Sequence, residues 1–245
     1  MSHSIRTLLL VVFCGLARQL WGDEATVVQK PDWQEGDTWI VQTRTLQLQA
    51  SSAGVTELKT LQADWKFQVM GRERLGSEPC LRIAVVCLSA KSSEPLVTFW
   101  VDEAHGRLRQ LHTLLTGHGQ QRAVVERYDC DQPAAAVMSP LSAIPLDLPA
   151  FVGPEPLPQQ SDYRVFGAPV GAKNVGLIGF GQSVRQSARP ADETLIRRVL
   201  PDALAKSVSR KSWVEISLSD GRRRVQQLWS IGDVWPAYSS NGVTE

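Results

Sequence analysis

An excess of charge, a long apolar run and any familiar catalytic signature are all missing from this sequence. Its 26 Lys and Arg face 25 Asp and Glu, so there is no electrostatic footprint for nucleic acid as a partner. The cleanest apolar run is the ten-residue LLLVVFCGLA at positions 8–17, about half of what a helix needs to cross a bilayer. No G-x-S-x-G elbow presents a nucleophilic serine. Gly171, Gly176, Gly179 and Gly181 fit neither G-x-G-x-x-G nor G-x-x-x-x-G-K-[ST], so close backbone packing is their simpler reading and no cofactor is implied.

His105, His112 and His118 lie near Asp102 and Glu103. A metal pair wants i, i+2 on a strand or i, i+4 on a helix, and this spacing gives neither, so surface or loop histidines are expected and no metal site. Adjacent acids such as Asp102 and Glu103 point to opposite faces of a strand, which leaves acid–base catalysis without a convergent pair. No residue is assigned a catalytic role.

What is present begins with a leader. Arg6, the apolar run and the small residue Gly22 read as a secretory signal over residues 1–22, with cleavage after Gly22 and Ala17 as the alternative. Phe13 directly before Cys14 argues against a lipid anchor, so the exported chain, secreted or periplasmic, is expected to be soluble with no transmembrane anchor. Removing Arg6 and Arg18 leaves 24 bases against 25 acids. It also leaves Cys80, Cys87 and Cys130, an odd set that suggests one bridge and one spare thiol. Cys80 and Cys87 are separated by an odd number of residues along a strand and point apart. Cys80–Cys130 is therefore the candidate disulfide, worth roughly 3–5 kcal/mol through loop-closure entropy.

Residues 23–130 read as an antiparallel β meander. In LQADWKFQVM (61–70), Leu61, Ala63, Trp65, Phe67 and Val69 alternate with polar or solvent-facing residues, the signature of a strand with one buried face. Burial of the four large side chains contributes at most roughly 6–12 kcal/mol. A slip of one residue would turn Asp64 and Lys66 inward, so register is strongly specified. Further strands are expected at 39–50, 79–89, 95–102, 107–115 and 121–128, joined by turn-rich pieces such as GSEP and DEAHG.

Seven of the fourteen prolines fall between Pro133 and Pro158, which makes 131–160 an extended connector rather than a helix or central strand. It is expected to lie over the surface, with Leu146, Leu148 and Phe151 interleaved among the prolines. The C-terminal segment, 161–245, should hold one helix, where Leu195, Val199, Leu200 and Leu204 share a face interrupted by Pro201, and a β-hairpin. The hairpin turn is Asp220-Gly221; a two-residue connection would pair Ile216 with Val225 and Trp213 with Leu228. Its Arg222, Arg223 and Arg224 read as a solvated edge. The fold class expected is mainly β: a meander curled into a half-barrel or open sheet, with one short helical segment and a C-terminal hairpin.

Tryptophan is the unusual signal, with seven beyond the leader against five Phe and three Tyr. Four of these Trp belong to two copies of W-x-x-G-D-x-W, at 33–39 and 229–235. In each copy the glycine stands third in a four-residue turn, QEGD or SIGD, where a type II turn needs positive φ. Gly36 and Gly232 are therefore expected at positive φ, with Trp39 and Trp235 plugging the core beside them. Trp39, Trp65, Phe67 and Trp100 are the candidate lining of an apolar groove.

The stretch TFWVDEAHGRLRQLHTL (98–114) resembles the strand-turn-strand of the periplasmic lipoprotein-carrier half-barrel superfamily, the resemblance covering residues 61–128. It implies an unclosed half-barrel whose apolar concave face shields acyl chains, and it transfers no site residue. The function expected is an exported binding or structural module of the cell envelope, carrying an apolar or lipid-like ligand or meeting an envelope protein. The alternatives are an exported hydrolase with a site assembled from distant residues, and a carbohydrate-binding module using exposed tryptophans.

Overall fold

Period-two alternation makes six strands where the sequence placed them: β1 (Thr38–Ala50), β2 (Thr56–Leu75), β3 (Glu78–Cys87), β4 (Val97–Asp102), β5 (Leu108–Gly117) and β6 (Gln120–Cys130). The computed structural model describes residues 30–50, 56–90, 94–117, 120–130, 144, 146–149, 151, 160–169, 180–200, 213–230 and 232–242. The leader, His118 and Leu204 lie outside these residues, as do Gly171, Gly176 and Gly179. Five more strands follow: β7 (Gln160–Pro169), β8 (Phe180–Pro190), β9 (Trp213–Ser219), β10 (Arg224–Ser230) and β11 (Tyr238–Ser240). They form one antiparallel sheet in chain order from β1 to β11, not closed into a barrel.

The sheet curls about a single core. Phe67, Ile83, Phe99 and Leu111 from the early strands share one cluster with Val184, Ile216, Val225 and Trp229 from the late ones. An eleven-stranded sheet brings both halves of one face into the same core only by bending over on itself, as strand twist favours.

Three expectations are corrected. The described part of the proline-rich stretch does not run over the outer surface. Ile144, Leu146, Leu148 and Phe151 are buried in the main core, and the Asp147 carbonyl accepts a hydrogen bond from Gln227 Nε2 at 2.7 Å. With few N–H groups to offer a ladder, this stretch fills the concave side with side chains instead. It also leads from β6 to its sheet neighbour β7, so it joins adjacent strands.

The second correction concerns the last hairpin. Asp220 Oδ1 accepts from the N–H groups of both Arg222 and Arg223, at 2.9 and 2.8 Å, which enlarges the loop to residues 220–223. Arg224 then pairs with Ser219, Val225 with Leu218 and Trp213 with Ser230. The register moves by two residues, which leaves every side chain on the face expected of it.

Cys80 is the third. It is a free thiol, fully buried. It sits on β3 opposite Asp102 of β4, whereas Cys130 ends β6 opposite Val165 of β7. Three strand spacings, roughly 14 Å along the sheet, separate the ladders, and a disulfide requires Cα atoms within about 7 Å. Burial, reinforced by the nearby Asp102 and Glu78 charges, raises the Cys80 pKa to about 11.

The helix is shorter than its apolar pattern. α1 (Glu193–Val199) starts at Asp192, whose side chain accepts from the Thr194 N–H, and ends at Leu200 in extended conformation, the conformation favoured before Pro201. Ile196 and Leu200 pack with Trp213 and Leu228 in a second, smaller cluster. These strand residues alternate with core-facing Val214 and Trp229, so α1 covers the convex side of the late strands.

Candidate functional site

Both W-x-x-G-D-x-W loops form the expected turn. The Asp37 N–H donates to Gln34 O at 3.0 Å and the Asp233 N–H to Ser230 O at 3.1 Å; Gly36 and Gly232 have φ of 91° and 89°. Sequence alone did not show that the two copies meet. Trp33 and Trp229, the first tryptophan of each, stand edge-on to Phe151 from the proline-rich stretch, with centroids at 6.1 and 5.5 Å. The second tryptophans, Trp39 and Trp235, contact each other at 5.3 Å, and both lie against Phe67. Trp33 Nε1 donates to Val234 O at 3.0 Å. The sheet whose backbone ladder stays open is thus tied across its mouth by aromatic side chains.

The register locates this cluster on the concave face. Trp39, Phe67, Val85 and Val97 occupy one cross-strand row. To one side, Val69, Ile83, Phe99 and Leu111 form a row of fully buried apolar side chains. On the other side come Val41, Trp65 and Cys87, then Ala63 and Leu61. β3 pairs with β2 only from Trp65 onward, so the far half of β2 has β1 as its one ladder partner and the hairpin overhangs. Exposure rises along β2 in that direction, from 0 % at Phe67 through 7 % at Trp65 to 47 % at Leu61. Val41, Ala63, Cys87 and Leu96 are half-buried against the core. The concave face is therefore filled at one end, and at the other it presents half-buried and exposed apolar side chains beside the buried Thr43 and Thr45.

The structure brings Trp39, Trp65 and Phe67 together on this face and puts Trp100 on the opposite one. Phe99 and Val101 point into the core, so Trp100 lies on the convex side with its strand partners Arg82 and Gln110. There its Nε1 donates to Glu73 Oε2 at 3.0 Å, and its ring meets His112 at 4.4 Å. Gln110 Nε2 lies 2.8 Å from His112 Nε2; the amide can only donate, so this ring nitrogen accepts and Nδ1 carries the proton. Burial holds the His112 pKa below its ordinary value, against the opposing pull of Glu73.

Tyr128 and Glu126 also reach the concave side, the Tyr128 hydroxyl donating to Glu126 Oε2 at 3.3 Å. His105 is part of a turn built on the Asp102 carboxylate, which accepts from the N–H groups of His105 and Arg107 at 2.7 and 3.0 Å. Among the described residues no three His, Cys, Asp or Glu side chains gather closely enough to hold a metal ion, and no helix is long and apolar enough to cross a membrane. Six of the seven tryptophans are buried and Trp39 is half-buried.

Four indole N–H groups have acceptors: those of Trp33, Trp65, Trp100 and Trp229. Those of Trp39, Trp235 and Trp213 are buried and have none, and an unmet buried donor costs about 1–3 kcal/mol. A scan against protein-family models and searches of curated proteins and of solved structures find no match to this chain.

Proposed function

We propose that the protein is an exported binding module of the cell envelope that carries an apolar, lipid-like ligand at the overhanging end of its half-barrel. The observation behind this reading is that the concave face keeps apolar side chains past the filled core, through half-buried Val41 and Ala63 to the exposed Leu61, with Thr43 and Thr45 as their polar neighbours on β1. An inner face whose only task is to make a core has no reason to continue as an apolar rim onto a two-stranded overhang. The leader-like first 22 residues and the resemblance of residues 98–114 to lipoprotein carriers agree with it. The ligand sits at the rim rather than in a deep groove, because Phe67, Ile83 and Phe99 are fully buried, Trp235 lies against Phe67, and Trp33, Ile144, Leu146, Leu148 and Phe151 belong to the same core.

Native mass spectrometry of the protein recovered after export tests the reading. A bound lipid is expected on the wild type and lost in Leu61→Asp, a change at a position that is 47 % exposed. Recovery without any bound apolar molecule, together with no uptake of an apolar fluorophore by the delipidated protein, would reject it.

A further inference from the structure

Two of the three unmet indole donors belong to the same contact. Trp39 and Trp235 lie 5.3 Å apart, their N–H groups buried without an acceptor, in the row where the filled core gives way to the apolar rim. Trp235 is only 7 % exposed. Trp39 is half-buried on the edge strand β1, its ring stacked on Phe67 at 5.3 Å. An indole N–H can only donate, so whatever meets these groups must bring an acceptor. The rim beside them offers Val41, Ala63 and Leu61, with Thr43, whose hydroxyl is already bonded to Trp65 Nε1 and Ala63 O, and buried Thr45 as the strand partners of Ala63 and Leu61.

We propose that Trp39 and Trp235 form a head-group site for an amphiphile with an acceptor oxygen, a carboxylate or an ester carbonyl, whose tail lies along Val41, Ala63 and Leu61. The third unmet indole, Trp213, is no part of it; it faces the convex side beneath α1, opposite the unpaired Ser230 hydroxyl. This proposal rests on the apolar-ligand reading and adds the chemistry of the head.

Calorimetric titration of the delipidated full chain with three probes sharing one tail separates the two ideas. Dodecanoate and its methyl ester carry acceptor oxygens; dodecyltrimethylammonium carries none. Both oxygen-bearing probes, or dodecanoate alone if the site requires an anion, are expected to bind about tenfold or more tighter than the ammonium probe. Trp39→Phe and Trp235→Phe keep the ring and remove the N–H; each should reduce that preference and leave ammonium binding unchanged. Trp39→Phe, at the half-buried position, keeps the test open if Trp235→Phe misfolds. Equal binding of all three probes, or full retention of the preference in Trp39→Phe, would overturn the head-group site while leaving the apolar-ligand reading intact. Binding of none of them would end both.

Discussion

Gly106→Ala gives the sharpest test of how the proline-rich stretch is seated. Gly106 has φ of 67°, and a Cβ there would stand 2.9 Å from Phe151 Cδ2 and 2.9 Å from Lys30 Cγ. Two costs add. Left-handed backbone is unfavourable for alanine by about 1–2 kcal/mol, and pushing a methyl into a packed aromatic ring costs typically about 1–3 kcal/mol. The Lys30 stem can move aside; Phe151, held edge-on between Trp33 and Trp229, cannot do so cheaply. The expected loss is about 2–5 kcal/mol, large against a domain stability of about 5–15 kcal/mol. Gly76→Ala is the matched control, because Gly76 has φ of 65° and nothing within 4 Å of an added Cβ; it should lose only the backbone part. Urea unfolding followed by tryptophan fluorescence reads both midpoints, with the m-value confirming that the denatured state has not changed. The difference between the two variants isolates the contact with Phe151. Combining Gly106→Ala with Phe151→Leu should shrink that difference, since the shorter side chain makes room. If Gly106→Ala costs no more than Gly76→Ala, Phe151 does not occupy the concave face as described.

Two other consequences can be measured. Because His112 is held below its ordinary 6.5 by burial, the unfolded chain binds the proton more readily; stability from this group is complete above that pH and is lost as pH falls through the folded value. His112→Gln should flatten that decline in the urea midpoint between neutral and mildly acidic pH, and an unchanged slope would refute it. Thiol labelling of the folded protein should mark half-buried Cys87 before Cys80, whose burial raises its pKa to about 11; a recovered Cys80–Cys130 linked peptide would contradict the strand order.

The first six strands were readable because each follows one rule, alternation with a buried face, and because its turns are marked by glycine, proline or aspartate. β8 escaped that rule: its inward residues are Val184, Gln186 and Ala188, with Gln186 only 2 % exposed, so polar and small residues stand where periodicity looks for large apolar ones. The fate of Leu146, Leu148 and Phe151 depends on a concavity that exists only once both halves of the sheet have curled. Trp100 could have been placed correctly from sequence. It shares parity with Thr98 and Asp102, while Val97, Phe99 and Val101 hold the apolar face. The meeting of Trp39 and Trp235 was not legible, since it joins loops 196 positions apart and depends on the overall curl. The turn geometry at Gly36 and Gly232 is local, and four residues were enough to foresee it.

The hydrogen bond from Trp33 to Val234 spans 201 positions, and this sets an order of events for a chain made from its N-terminus. β1 and β2 can pair as soon as both exist, yet the apolar surface of Trp39 and Phe67 stays without its Trp235 neighbour until position 235 has been made. A nascent chain at that stage presents a sticky half-barrel with its last wall missing, and contacts this distant in sequence slow folding. Such a chain stays pliable for as long as Trp235 is withheld, a property that would serve the export proposed above.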